Sequence, residues 1–181
     1  FTSEAPVARE FAGCIGVSSE TLMTGYTAER TGSTLNVYGG TLVGSALTCT
    51  DGSAGGGGRG GVVSVINSNC VLNLYGGILR DGGTVGNTAG GGLIAVSGEA
   101  NLYGGTLSGS TDQLGAIYVG SDKVSLLGDV TFTDNAVADF YVASGKWLNI
   151  KAASTAVLNA ETADTVVALV ENTAYAQKLT S

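Results

Sequence analysis

The sequence predicts an all-β chain coiled as a parallel β-solenoid. Three observations carry that expectation. Glycine is abundant, at 30 residues, whereas proline occurs once, so the backbone needs unusual angles or close approaches but few rigid kinks. One phrase, LNLYGGIL at 72–79, returns as LNVYGGTL at 35–42 and as ANLYGGTL at 100–107. Within each copy apolar and polar residues alternate, the period of a half-buried strand.

At 181 residues the chain is long enough for one domain with a substantial core, and the working division is a single unit over 1–181. Apolar residues make up 44% and charged ones 13%, which excludes a disordered polar tail and a charged helical rod. Thr, Ser, Val and Asn are plentiful, while the helix-favouring Lys, Glu, Met and Gln are scarce. The chain starts at Phe1 with no signal peptide, which fits a processed product or a piece of a longer protein.

Taken in order, GCIGV at 13–17 reads as a first strand, separated by an insertion from LNVYGGTL. GVVSV at 61–65 precedes LNLYGGIL, and GLIAV at 92–96 precedes ANLYGGTL. GAIYV at 115–119 and VSLLGDVTF at 124–132 form the next pair, with Leu127 in the place of Tyr103. ADFYV at 138–142 and WLNIK at 147–151 form another. Residues 1–34 are expected to hold an irregular segment and the first coil, 35–160 the regular coils, and 161–181 a terminal coil or cap.

The tyrosine phrases lie 37 and then 28 residues apart, and later copies follow at 24. Units of this size with three short strands cannot bury their apolar faces alone, but they can when each coil stacks on the last. Neighbouring strands are about 4.8 Å apart, so about six or seven coils make a rod roughly 30 Å long. A leucine-rich horseshoe needs a helical segment in each unit, and an immunoglobulin-like sandwich gives no reason for one phrase to recur in register. The expected inward residues are Leu35 and Val37, Leu72 and Leu74, Ala100 and Leu102, Val124 and Leu126, and Leu148 and Ile150.

The phrases GGVVSV...LNLYGGIL, GGLIAV...ANLYGGTL and GAIYVGSDKVSLLGDVTF resemble the right-handed parallel β-helix repeats of secreted or surface-anchored proteins of anaerobic Gram-positive bacteria. The resemblance covers roughly residues 11–160. It implies a right-handed coil, an extracellular or cell-surface location, and a structural or adhesin-type role.

Catalysis is tested against the residues present, because many β-helices are carbohydrate-active. Histidine is absent, which removes the commonest general base and the Ser-His-Asp arrangement. Arg80-Asp81 and Asp122-Lys123 are the adjacent charge pairs a lyase would want, and both fall at predicted turns. AGGGGRGG at 54–61 lacks the Gly-Lys-Ser/Thr ending of a phosphate loop and precedes a strand. No catalytic residue, metal site or cofactor is expected.

A net charge of −7 with scattered Lys and Arg argues against nucleic acid, and the longest strongly apolar run, VVALV at 166–170, is too short for membrane insertion. The expected partners are a second copy of the chain, end to end or lateral, or a cell-surface or host glycan. Tyr38, Tyr75 and Tyr103 beside Asn36, Asn73 and Asn101 form a candidate ligand-binding ladder, continued by Ser125 and Asn149. Stacking between coils is the simpler reading of the same columns and the preferred one. Val62, Leu93 and Ala95 make the outer side of a second strand apolar, a candidate interaction face to be covered by the N-terminal segment, a neighbouring domain or another copy of the chain. Cys49 and Cys70 are a candidate disulfide, with Cys14 then the odd thiol.

The leading expectation is a non-catalytic extracellular scaffold or adhesin module. The alternatives are a self-assembling filament subunit and a carbohydrate-binding or carbohydrate-active protein.

Overall fold

The computed structural model describes residues 15–17, 32–48, 59–85, 90–161, 166–172 and 175. Among the described residues it is all-β, and no α-helix occurs there. The strands are β1 (Ile15–Val17), β2 (Thr34–Val37), β3 (Thr41–Val43), β4 (Ala46–Thr48), β5 (Arg59–Gly60), β6 (Val63–Val65), β7 (Val71–Leu74), β8 (Ile78–Arg80) and β9 (Gly83–Val85). They continue as β10 (Gly90–Gly91), β11 (Ile94–Val96), β12 (Glu99–Ser108), β13 (Ile117–Val119), β14 (Val124–Thr133), β15 (Phe140–Val142), β16 (Leu148–Ile150), β17 (Leu158–Ala160) and β18 (Ala168–Val170).

Strand pairing is parallel throughout and follows the sequence repeats. One six-stranded sheet runs β1-β6-β11-β13-β15-β17. An eight-stranded sheet follows the path β18-β16-β14-β12-β7-β2, with β3 and β8 beside it. Residues equivalent in successive repeats are paired: Val63 with Ile94, Ile94 with Ile117, and Ile117 with Phe140. In the other sheet Leu35 pairs with Leu72, Leu72 with Ala100, Ala100 with Val124, and Val124 with Leu148. This arrangement is compatible with a β-solenoid.

The core follows from that register. Val63, Val65, Ile94, Val96, Ile117, Val119, Phe140 and Val142 come from one sheet and join one apolar cluster with Leu72, Leu74, Leu102, Val124, Leu126, Leu148 and Ile150 from the other. Leu79 and Leu107, from β8 and β12, belong to it as well. Because side chains alternate across a strand, pairing equivalent residues places every inward residue above another inward residue. Pairing also runs past the regular coils, since Leu148 pairs with Ala168 and Ile150 with Val170.

Two local features depart from simple repetition. β14 carries one extra residue against β12, so Leu102 faces Leu126 but Gly104 faces Asp129. Leu127 follows the inward Leu126 as expected, and Gly128 next to it lies so close to the Tyr103 carbonyl that a methyl group there would overlap it. At the turn after β8, β12 and β14, Asp81, Gly109 and Asp134 all adopt left-handed backbone, at φ 58°, 67° and 56°. The preceding residues Arg80, Ser108 and Thr133 are paired across the three coils, so one left-handed turn is stacked three times, with a non-glycine residue in the first and third copies.

Left-handed backbone costs a non-glycine residue roughly 1 kcal/mol. Asp134→Gly, at an exposed position, is therefore expected to raise stability by up to about 0.5 kcal/mol, after subtracting glycine's entropy in the unfolded chain. The midpoint of urea unfolding checks this, and an unchanged or lower midpoint counts against the strain.

Candidate functional site

The tyrosines of the recurring phrase stack. Tyr38 and Tyr75 have ring centroids 4.9 Å apart at an interplanar angle of 5°, and Tyr75 and Tyr103 are 4.8 Å apart at 9°. The strands impose this spacing, because each ring leaves the same position of a coil and coils repeat at the strand-to-strand distance of about 4.8 Å. Beside the rings, the Asn73 amide nitrogen donates to the Asn36 side-chain oxygen at 2.9 Å, and Asn101 donates to Asn73 at 3.1 Å. Asn101 also donates to the Glu99 carboxylate at 2.8 Å.

Both columns end in the later coils. Ser125 occupies the asparagine position in β14, in register with Asn101 on one side and Asn149 on the other. Asn149 donates instead to the main-chain oxygens of Asp122 and Val124, at 2.8 Å and 3.1 Å. The aromatic column stops at the extra residue in β14, where Leu127 and Gly128 follow Leu126.

The stacking decides what the ladder offers. A sugar ring packs on an aromatic face, and here the facing sides of the three rings are closed against one another. What remains outward is a row of ring edges and phenolic hydroxyls, with Tyr38, 74% exposed, also presenting the face away from Tyr75.

The candidate interaction face is corrected by the structure. Val62, Leu93 and Ala95 are each 0% exposed. Val62 and Leu93 precede β6 and β11 at the corner of the coil and belong to the central apolar cluster. Alternation assigns them outward only if the strand continues straight through them, and it does not.

Ala95, on the outer side of β11, is covered by the chain itself. β5 and β10 pair with each other, and their glycines lie against the following strands: a methyl group on Gly60 would meet the Val63 oxygen, the Ala95 nitrogen and the Leu93 oxygen. The Gly60 N–H donates to the buried Ser64 hydroxyl at 2.8 Å, satisfying an outward polar residue under that cover. Cys70 is buried, and Cys49 lies outside the described residues, as does Cys14.

A second tyrosine pair, not singled out in the sequence, lies in the same outer column. Gly16, Ser64, Ala95, Tyr118 and Tyr141 are in register, and the residues grow large after β11. Tyr118 and Tyr141 have centroids 6.2 Å apart at 20°. The signal available was the alternating Tyr in GAIYV and ADFYV, which is weak because neither phrase shares the Tyr-Gly-Gly context.

Burial raises the Tyr118 pKa above the ordinary phenol value, with the Glu161 carboxylate and Tyr141 adding to it; burial and then Glu161 do the same to Tyr141. The folded chain thus favours the protonated phenols. That contribution is fully present below the unfolded phenol pKa of about 10 and is lost as pH rises through the higher folded value. Tyr118→Phe is expected to flatten the decline in stability between about pH 9 and pH 12. Urea unfolding at several pH values reads this, and an unchanged slope removes the assignment.

The charged candidates separate. Arg80 and Asp81 pair with each other on the surface, with about half of each side chain exposed. Asp122 reaches Lys146 at 3.5 Å, not its neighbour Lys123. Elsewhere a buried polar corner is internally satisfied: Asn135 accepts from the Ser110 N–H at 3.1 Å and donates to Asp139 at 2.8 Å. The other Asp139 oxygen accepts from the Val157 N–H at 2.8 Å. These groups connect successive coils. Among the described residues no three His, Cys, Asp or Glu side chains are grouped to hold a metal ion, and no helix is long and apolar enough to cross a membrane.

No family model matches the chain, and no curated protein and no solved structure matches it either.

Proposed function

We propose that the chain is a right-handed parallel β-helix of about six or seven coils with three short strands per coil, working as a non-catalytic structural or adhesin-type module on or outside the cell. One observation carries this reading: the recurring residues are spent on stacking. The apolar members fill one continuous core, the asparagines bond to one another and the tyrosines stack on one another. The adjacent charge pairs lie at turns, with Arg80 and Asp81 on each other.

This reading places the chain with the secreted or surface-anchored β-helix proteins that its repeats resemble. Its test has two parts. Antibody raised against the chain should label intact source cells, and the purified protein should leave acidic and neutral polysaccharides undegraded. Labelling confined to broken cells sinks the location, and turnover that Arg80→Ala abolishes replaces the scaffold with a carbohydrate-active enzyme.

A self-assembling subunit is the second reading, favoured by the end strands. Among the described residues β2 and β18 terminate one sheet and β1 and β17 the other, so each leaves one edge for another strand. Sedimentation over a wide concentration range separates the two readings, since a particle that stays monomeric when concentrated rules out the filament.

A further inference from the structure

The tyrosine ladder brings together groups that can react with one another. Tyr38, Tyr75 and Tyr103 are all exposed, and their rings face each other at 4.9 Å and 4.8 Å with planes 5° and 9° apart. The strand register holds them there, since the residues just before them are paired, Val37 with Leu74 and Leu74 with Leu102. Two glycines follow each ring, Gly39-Gly40, Gly76-Gly77 and Gly104-Gly105, so no side chain of that stretch stands against the rings.

We propose that the ladder is a site of oxidative cross-linking, in which a one-electron oxidant joins Tyr75 to Tyr38 or to Tyr103 through a carbon–carbon bond. Each of the two phenols gives up one electron and its hydroxyl proton and becomes a phenoxyl radical, with spin on the carbons ortho to the oxygen. One ortho carbon of each ring couples to the other. Each then loses its hydrogen as a proton while the oxygen regains one, and both phenols are restored. With hydrogen peroxide acting through a haem peroxidase as the oxidant, the two electrons and two protons reduce one peroxide to two waters.

The stacked geometry suits this step. The unpaired electron occupies an orbital perpendicular to the ring plane, so two phenoxyls bond when their faces meet, and near-parallel rings present that approach. Being held side by side replaces a chance encounter, and a tilt of the rings toward one another closes the remaining gap. Tyr38 and Tyr103 are two coils apart with Tyr75 between them, so Tyr75 belongs to either bond. The other pair meets the requirement less well. Tyr118 and Tyr141 have centroids 6.2 Å apart and planes 20° apart, and burial and the Glu161 carboxylate favour keeping the proton on Tyr118. A bond in the ladder ties phrases 37 or 28 residues apart, so, like a disulfide, it removes freedom from the unfolded chain and staples successive coils.

Dilute protein treated with a haem peroxidase and hydrogen peroxide tests this. The expected product is dityrosine, read by its fluorescence in the band that still runs as a single chain on a denaturing gel, with peptide mapping placing the bond between Tyr75 and Tyr38 or Tyr103. Tyr75→Phe lowers the dityrosine of that band about tenfold or more, and oxidation in urea, where the register is gone, lowers it likewise. Tyr118→Phe leaves it unchanged, and the cross-linked chain unfolds at a higher urea concentration than the untreated one. The proposal is overturned if dityrosine appears only in covalent dimers, if mapping places it at other tyrosines, or if the cross-linked chain is no more resistant to urea. Undiminished single-chain dityrosine in folded Tyr75→Phe or in the urea-unfolded chain overturns it equally.

Discussion

Gly91→Ala is expected to leave the chain largely unfolded at room temperature or to destabilise it on the order of 3 kcal/mol or more. The reason is steric. An added methyl group at residue 91 would stand 2.0 Å from the Ile94 oxygen and 2.6 Å from the Tyr118 nitrogen, and both are backbone atoms held in the ladder of parallel strands. No rotamer relieves the overlap, so β10 must lift from the strands it covers. Gly60 meets the same obstacle one coil earlier, with the Val63 oxygen at 2.0 Å.

Two controls make the expectation specific. At Gly115, in the next coil and aligned with Gly92 rather than Gly91, the nearest atom is the Tyr141 nitrogen at 3.1 Å. A shift of a few tenths of an ångström accommodates a methyl group there, so Gly115→Ala should cost about 1 kcal/mol or less. Gly39 has nothing within 4 Å of the added atom, and Gly39→Ala should be close to neutral. Circular dichroism and urea titration of the three variants test the ranking. A Gly91→Ala protein as stable as Gly39→Ala would mean that β10 does not lie where the structure puts it.

Phe140→Ala is expected to cost about 3 to 5 kcal/mol, the range for deleting a buried aromatic side chain. Phe140 is fully buried and meets Phe132 edge to face, with ring centroids 5.2 Å apart. It holds the position that Ile117 and Leu158 hold in the neighbouring coils, so its removal leaves a void between two coils rather than within one. In a stacked repeat each unit is stabilised mainly by its neighbours, and a defect here should uncouple the coils on its C-terminal side. Amide hydrogen exchange should then show β16, β17 and β18 losing protection before β7 and β12. Uniform loss of protection along the chain would show that unfolding is cooperative across the defect. Phe140→Leu, which keeps much of the volume, should recover most of the stability.

Much of this arrangement was legible in the sequence because its determinants are short and repeat. LNVY, LNLY, ANLY, VSLL and WLNIK put their inward residues in register by alternation alone, and the structure pairs Leu35, Leu72, Ala100, Val124 and Leu148 in that order. The tyrosine ladder could be anticipated for the same reason, since equal positions in stacked coils must meet. That Ala95 is covered could be anticipated from a strand apolar on both sides, but not what covers it, because that depends on β5 and β10 turning back over strands that begin only three residues later. Alternation describes a straight strand and contains no information about where the chain folds over itself.

The sequence by itself therefore determined the period, the inward residues and the columns that stack, all of which rest on the two-residue repeat of a strand and on the need to bury one face of it. The tertiary structure decided which surfaces stay open. It closed Val62, Leu93 and Ala95 and turned the tyrosine faces toward one another. Exposure depends on what packs against a residue from elsewhere in the chain, and that is a property of the assembled coils rather than of any one phrase.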